Sequence, residues 1–260
     1  MTTLGFCLID IDNIPILLNI IPSSENPIFT MTSSILRDVY YQFTILPMPK
    51  NDFNGKIAIV TGSNTDLGLE TARTIASLNA KKVILAVSDM EKGELAKQSI
   101  EESTGRRGVI EVWQLDLLSF KSVLEFAARA QNLPRLGIIV ENAAPNAMSF
   151  RKSEGHESSV TVNVPSTFLL ALNALPKLRA TAQKFHVTPH LVVVSSGLHY
   201  VTSFPQSSAD DIYAALGNEE NPDMADRYSI TKLMDALLVR ASGTSQASRR
   251  EWSSCGHQYC

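Results

Sequence analysis

From Lys56 onward the chain alternates short apolar runs with longer mixed stretches. Lys56-Ile57-Ala58-Ile59-Val60, Lys82–Val87, Val109–Trp113, Leu136–Val140 and Leu191–Val194 are near-continuous apolar runs rich in β-branched residues. Helical stretches separate them at about Leu67–Leu78, Glu91–Glu102, Ser119–Ala130 and Gly155–Leu178, and a last one, Met224–Val239, follows the fifth run. Strands that are apolar on both sides and alternate with helices predict a parallel sheet covered on both faces. With right-handed connections this is a doubly wound α/β sheet, whose ligand crevice lies at the carboxyl ends of its strands.

Before Lys56 the pattern is lost. Leu4–Ile21 is apolar in part, but Asp10, Asp12, Asn13 and Pro15 interrupt it, so no stretch approaches the roughly 18 residues that a spanning helix needs. No Lys or Arg precedes this run, so a secretory leader is not expected. Residues 1–50 are therefore read as an N-terminal extension, 51–240 as one domain and 241–260 as an atypical, Ser-rich tail without apolar period.

Composition narrows the function classes. The 260 residues include 23 Lys+Arg and 26 Asp+Glu, a formal net charge of −3, with 44% hydrophobic residues. That balance excludes a disordered or membrane-embedded chain, and the lack of a basic run argues against nucleic acid as the main partner. Cys7, Cys255 and Cys260 have no metal-ligand spacing, nor do His156, His186, His190 and His199. No metal is expected, and a reducing, cytoplasmic setting is.

The chemistry clusters at strand ends. Thr61-Gly62-Ser63-Asn64-Thr65-Asp66-Leu67-Gly68 joins the first strand to a helix; glycine allows a tight turn, and the helix N-terminus offers free N–H groups to a pyrophosphate. Asp116 follows the third strand, where its carboxylate can accept from an adenine amino group, Asn142-Ala143 follows the fourth, and Ser195-Ser196 the fifth. Tyr228 and Lys232, four apart, share one helix face. A phenol is a poor acid or base at neutral pH, and a neighbouring ammonium favours its ionised form. That pairing suits Tyr228 to general acid/base work.

With these motifs in this order, the chain resembles a classical short-chain dehydrogenase/reductase from about Asp52 to Arg240. It is most similar to the retinol-dehydrogenase-like branch found among fungal reductases, which often serve secondary metabolism. The resemblance implies a Rossmann-type fold and an NADP(H)-dependent oxidoreductase, NAD(H) not excluded, that interconverts a ketone and a secondary alcohol on an apolar small molecule. It implies catalytic roles for four residues. Tyr228 would be the acid/base and Lys232 would also hold the nicotinamide ribose. Ser196 would bind the reacting oxygen, and Asn163, in Thr161-Val162-Asn163-Val164, would bend its helix to hold a water in a proton relay. Cofactor contacts are implied for Thr61, Gly62, Ser63, Asn64, Leu67, Gly68, Asp116 and Asn142, along with Tyr228 and Lys232. A homodimer through the helices that hold Asn163 and Tyr228 is also implied.

The chain departs from that pattern at several positions. Asp66 stands where the family carries Gly, and Ser88 where this branch carries an Arg for the 2′-phosphate of NADP, leaving Arg73 or Lys92 to substitute. Glu141 and Ala144 flank Asn142-Ala143 where Asn and Gly are usual. Tyr228 lies 32 positions after Ser196, a long insert whose Tyr200, Phe204, Tyr213 and Leu216 either wall an apolar pocket or form an exposed excursion. After Arg240 the family's further strands and substrate helix do not follow, so the C-terminal strands are expected to be missing and Leu191–Val194 to form an open sheet edge. An alternative follows from Asp66 and the tail: a catalytically inactive remnant serving at most as a nucleotide-binding or interaction module.

Overall fold

The computed structural model describes residues 5–10, 52–220 and 222–244; most of the extension and nearly all of the tail lie outside these residues. Strands β1 (Gly5–Asp10), β2 (Ile57–Thr61), β3 (Lys82–Val87), β4 (Ile110–Gln114), β5 (Ile138–Glu141) and β8 (His190–Ser195) form one parallel sheet in the order β1-β8-β5-β2-β3-β4. Helices α1 (Asp66–Ser77), α2 (Met90–Thr104), α3 (Phe120–Gln131), α5 (Thr167–Phe185) and α7 (Met224–Thr244) connect or cover the strands. This is the doubly wound, Rossmann-type sheet that the strand and helix pattern predicts.

The near-continuous apolar runs have a simple cause. Ile57, Ile59, Ile84, Ala86, Ile139, Leu191 and Val193 face one layer, where Val123 and Phe126 of α3 and Leu170 and Leu178 of α5 meet them. Their alternating neighbours Ala58, Val60, Val83, Leu85, Val87, Ile138, Val140 and Val192 face the other, against Ala72 and Ile75 of α1 and Ala96 and Ile100 of α2. Each large side chain so buried contributes about 1.5–3 kcal/mol before entropy is counted. Neither face of the strands can therefore be polar.

The first difference from expectation is at the sheet edge. Gly5–Asp10 pairs in parallel with β8, from Gly5 opposite His190 to Asp10 opposite Ser195. β8 is thus not the open edge predicted, and this part of the extension belongs to the sheet. Unpaired N–H and C=O groups along β8 would accept any segment able to extend beside them, and Gly5-Phe6-Cys7-Leu8-Ile9-Asp10 does so.

The second difference is in the long helix expected over 155–178. Glu154 and Gly155 take positive φ values of 51° and 84° and turn a small antiparallel ribbon, β6 (Lys152–Ser153) with β7 (His156–Glu157). Only then does α4 (Ser158–Thr161) begin, capped by the Glu157 carboxylate, which accepts from the N–H groups of Ser159 and Val160. A π-helical turn, Val162–Ser166, carries the chain into α5, which runs past Pro176 to Phe185. Ser158–Phe185 is apolar and long enough to cross a membrane, but 67% of its most apolar stretch is buried within the protein, as a core helix is.

The insert after Ser196 is not simply an exposed excursion. Phe204 and Leu216, the latter in α6 (Ile212–Leu216), pack with Val160, Val164, Ile230 and Met234 in a third cluster that Ile212 and Tyr213 flank. The insert brings its own small core to the junction of α4, the π-turn and α7. Tyr200 stays outside, 70% exposed.

Candidate active site

Strand order reverses between β2 and β5, and a cavity of 510 Å³ opens there at the carboxyl ends of the strands. Gly62, Asn64, Thr65, Asp66, Leu67 and Gly68 line it from the first turn, and Ser88, Asp116, Asn142, Val194, Tyr228 and Lys232 complete most of the wall. Most residues singled out in the sequence therefore meet in one place. None of Tyr200, Phe204, Tyr213 and Leu216 is among the lining residues.

The turn after β2 is built so that nothing larger than glycine fits at two points. Gly62 has φ +62°, and a Cβ there would come within 3.0 Å of the Ala143 Cα and Cβ. At Gly68 a Cβ would sit 2.4 Å from the Gly62 carbonyl oxygen and 2.6 Å from Asn142 Nδ2. Ser63 is fully buried and donates its hydroxyl to the Val60 carbonyl at 2.9 Å, so its side chain serves the turn and does not line the cleft. Asn64, Thr65 and Leu67 do line it, in front of the α1 N-terminus.

Asp66, the first residue of α1, has φ 49° and its side chain lines the cavity. A left-handed backbone at a residue with a Cβ costs about 1–2 kcal/mol, which is the physical sense of the glycine expected at this place. Asp116 closes a tight turn by accepting from Leu118 N at 2.9 Å and presents itself to the cleft. Arg73 does not substitute for the missing cation: it pairs with Glu70 and donates to the Ser99 carbonyl on α2. Lys92 lies one turn beyond Ser88, near Asp89 at 3.5 Å, and 65% of its side chain is exposed.

On the other side of the cleft, α7 presents Tyr228 and Lys232. Lys232 Nζ lies 5.8 Å from the Tyr228 ring centre and donates to the Val194 carbonyl at 2.8 Å. Ser195 is buried and donates to the Lys232 carbonyl at 3.2 Å, which fixes α7 to β8. Ser196 follows at the strand end, where its oxygen accepts from Leu198 N at 3.3 Å. Asn163 sits inside the π-turn, 1% exposed, with Nδ2 donating to Thr231 Oγ1 at 2.9 Å on the helix that carries Tyr228. Neither Ser196 nor Asn163 is among the cavity-lining residues.

Two buried charge groups were not singled out in the sequence as parts of the site. Glu157 and Arg227 form an ion pair, 3.7 Å apart, with side chains 0% and 3% exposed, one residue before Tyr228. Desolvation holds the Arg227 guanidinium below its usual range, although Glu157 and then Asp223 oppose this. The other group is Lys232–Asp235, 3.1 Å apart and almost fully buried, with Glu141 buried at the end of β5. Burial pushes the Glu141 carboxyl well above the usual carboxylate range, and the Asp235 charge adds to this. Asp235 is pushed up to about 7 by burial, against the pull of Lys232. A surface-facing Tyr-x-x-x-Lys-x-x-Asp looks the same in sequence; only the apolar Leu233-Met234 beside it hinted at burial.

A family pattern described as short chain dehydrogenase matches residues 56–207. A short chain dehydrogenase of Emericella nidulans is 45% identical over 77% of this chain and 64% of that protein. A short chain dehydrogenase/reductase of Cryptosporiopsis sp. is 44% identical over 76% of this chain and 63% of that protein. The chain thus spans less than two thirds of the length of these curated relatives. Among solved structures, a short chain dehydrogenase from Escherichia coli CFT073 in complex with NADPH is 28% identical, with a TM-score of 0.53 over 71% of this chain and 69% of that one.

Proposed function

The chain belongs to the short-chain dehydrogenase family, and we propose that it is an NADP(H)-dependent oxidoreductase interconverting a ketone and a secondary alcohol. The observation that carries this is that Tyr228 and Lys232 line the same cavity as the Gly62–Gly68 turn. The two positions where a Cβ would collide with backbone or Asn142, set before a helix N-terminus, suit a pyrophosphate. A bound nicotinamide would supply or accept the hydride.

The chain's own residues do the rest. In reduction Tyr228 gives its phenolic proton to the carbonyl oxygen, and in oxidation it takes the proton from the alcohol. The Lys232 ammonium favours the phenolate left behind and holds the nicotinamide ribose. The Ser196 hydroxyl donates to the reacting oxygen. Asn163, in a π-turn where the regular backbone ladder is broken, holds the water through which Tyr228 exchanges its proton with solvent. Exposed Leu198, Tyr200 and Val201, just beyond Ser196, support an apolar substrate, which we take to be a fungal secondary metabolite. For the cofactor, Lys92, exposed just beyond Ser88 where the family's Arg is missing, is the cation that supports a 2′-phosphate and hence NADP(H). Exposed Leu172 on α5, with Leu237 and Leu238 on α7, supports a homodimer through those helices. In this reading residues 51–240 are the cofactor domain, 1–50 an extension that lends β1 to it and 241–260 a tail whose first four residues complete α7, in a cytoplasmic protein.

The test is thermal unfolding with NADPH and with NADH, then turnover of the Tyr228→Phe variant. Ligand at about 100 times its dissociation constant adds about 2.7 kcal/mol of stability. A transition raised more by NADPH than by NADH is expected, and Tyr228→Phe should bind equally well but not turn over. No response to either nucleotide would overturn the reading. Asp66, a carboxylate at the cleft wall, favours the second reading, a binding module without turnover; wild-type binding with no reduction of any ketone would be its signature.

A further inference from the structure

Asp235, the buried partner of Lys232, is close enough to a second buried carboxyl, Glu141, for its charge to act there. Lys232 Nζ donates to Asp235 Oδ2 at 3.1 Å and to the Val194 carbonyl at 2.8 Å. Asp235 is 0% and Glu141 3% exposed. Asp235 Oδ1 and both Glu141 carboxyl oxygens have no hydrogen-bond partner among the described residues. Two ionised carboxylates and one ammonium would leave a net negative charge among buried side chains, which is expensive unless a proton is retained. Groups coupled this closely titrate as a pair.

We propose that Asp235 and Glu141 are positioning residues for Tyr228, acting through Lys232: Asp235 anchors the ammonium, and Glu141, whose charge would meet that of Asp235, keeps a proton so that the pair carries one negative charge. The inference rests on the reading of Tyr228 as the acid/base group. Burial favours the protonated form of both carboxyls, with Asp235 pushed up to about 7 and Glu141 further above its ordinary value. Among the described residues, strand β8 contributes the Val194 carbonyl and the Ser195 hydroxyl, and α7 contributes Lys232.

The consequence for the site is electrostatic. Lys232 favours the Tyr228 phenolate only with the part of its field that the carboxyl pair does not cancel. While the pair keeps its proton, one negative charge balances one ammonium. Once that proton leaves, the second charge opposes ionisation of the phenol. The pair therefore sets the pH range in which Tyr228 can work, without touching substrate or cofactor.

The test needs no turnover. Tyrosinate absorbance is followed against pH in the full chain, and the curve of Tyr228→Phe is subtracted to isolate Tyr228. In the pH range where the pair has lost its proton, Asp235→Asn and Glu141→Gln each remove one negative charge behind Lys232, so there each should move the Tyr228 ionisation to lower pH by about half a unit or more. Glu141→Gln leaves the Lys232–Asp235 contact in place and serves if Asp235→Asn does not fold. An infrared difference spectrum, wild type minus Glu141→Gln at neutral pH, should show the carbonyl stretch of a neutral carboxyl. An unmoved Tyr228 ionisation in a folded variant, or no neutral-carboxyl band, overturns the proposal. If both readouts hold while no ketone is reduced, the enzymatic reading fails and the carboxyl pair stands.

Discussion

The Thr61 hydroxyl oxygen accepts two backbone hydrogen bonds, from Asn142 N at 2.9 Å and Ala143 N at 3.0 Å, and Asn142 Nδ2 donates back to the Thr61 carbonyl at 3.1 Å. One side chain from each strand thus ties the end of β2 to the end of β5 at the point where the sheet order reverses. The latch also sets how close Ala143 comes to Gly62, and so the width of the cleft floor.

Thr61→Val keeps the shape and removes the acceptor. Two N–H groups beside a residue 1% exposed would lose their partner, at a cost of about 1–3 kcal/mol. Urea unfolding should report that loss, with a weaker nucleotide affinity alongside. Thr61→Ser should retain most of both. Equal stability of the Val variant would mean the latch is incidental.

The Arg227–Glu157 pair joins the start of α7 to the cap of α4. Arg227→Leu would leave Glu157 buried with its two backbone donors but no counter-charge, and breaking such a pair costs about 3–5 kcal/mol. Because Tyr228 is the next residue, nucleotide-dependent stabilisation should weaken together with the unfolding free energy. A variant as stable as wild type would show that the Glu157 caps alone suffice.

What the sequence made legible was whatever repeats locally. The five strands β2, β3, β4, β5 and β8 are visible because burial on both faces leaves few polar positions to blur the pattern. Gly62, Gly68 and Asn142 are visible because a strand end followed by a helix needs particular residues. By contrast, Gly5–Asp10 is indistinguishable from any short apolar run, since its place beside β8 depends on a partner about 185 positions away (His190 opposite Gly5). The ribbon at 152–157 was hidden inside a plausible helix, and only the Glu154-Gly155 turn breaks it. Ser63 reads as a cofactor contact, but its hydroxyl points to Val60. Glu141 and Asp235 read as ordinary charges because burial is a tertiary property.

Asp66 is a position where the backbone and the ligand ask for the same change. Asp66→Gly removes the penalty of a positive φ, and it also removes an acidic group from the first turn of α1, which is worth about 0.3–1 kcal/mol there. Glycine further increases the freedom of the unfolded chain. These terms nearly cancel, so stability should change by less than about 1 kcal/mol. Binding should not cancel: without a carboxylate at the pyrophosphate site, NADPH affinity should rise by about fivefold, which is about 1 kcal/mol. Fluorescence titration decides this, and unchanged affinity would place the Asp66 carboxylate away from the phosphates.

Deleting residues 1–10 would bare β8 along the whole register from His190 to Ser195. An exposed parallel edge recruits other chains. The shortened protein should show a lower unfolding temperature and concentration-dependent association by light scattering. A monodisperse, equally stable product would mean that β1 contributes nothing to the sheet.

Stability against pH offers a separate view of Glu141. Its carboxyl is held well above 4.5 in the folded chain by burial, with the Asp235 charge adding to this. The folded state therefore binds the proton more tightly than the unfolded state. Below about pH 4.5, where both states are protonated, there is no penalty; as pH rises past that value only the unfolded chain gains by ionising, so stability falls until the raised folded value is reached. Asp235, raised to about 7, acts in the same direction between its ordinary value and neutrality. Glu141→Gln cannot ionise, so its stability relative to wild type should improve with rising pH, by up to about 1.4 kcal/mol per unit within that window. Near pH 5 the two proteins should be close, and near pH 8 the variant should be the more stable. A gap that is constant between those values would mean Glu141 ionises in the fold as it does in water, against its burial at 3% exposure with no hydrogen-bond partner among the described residues.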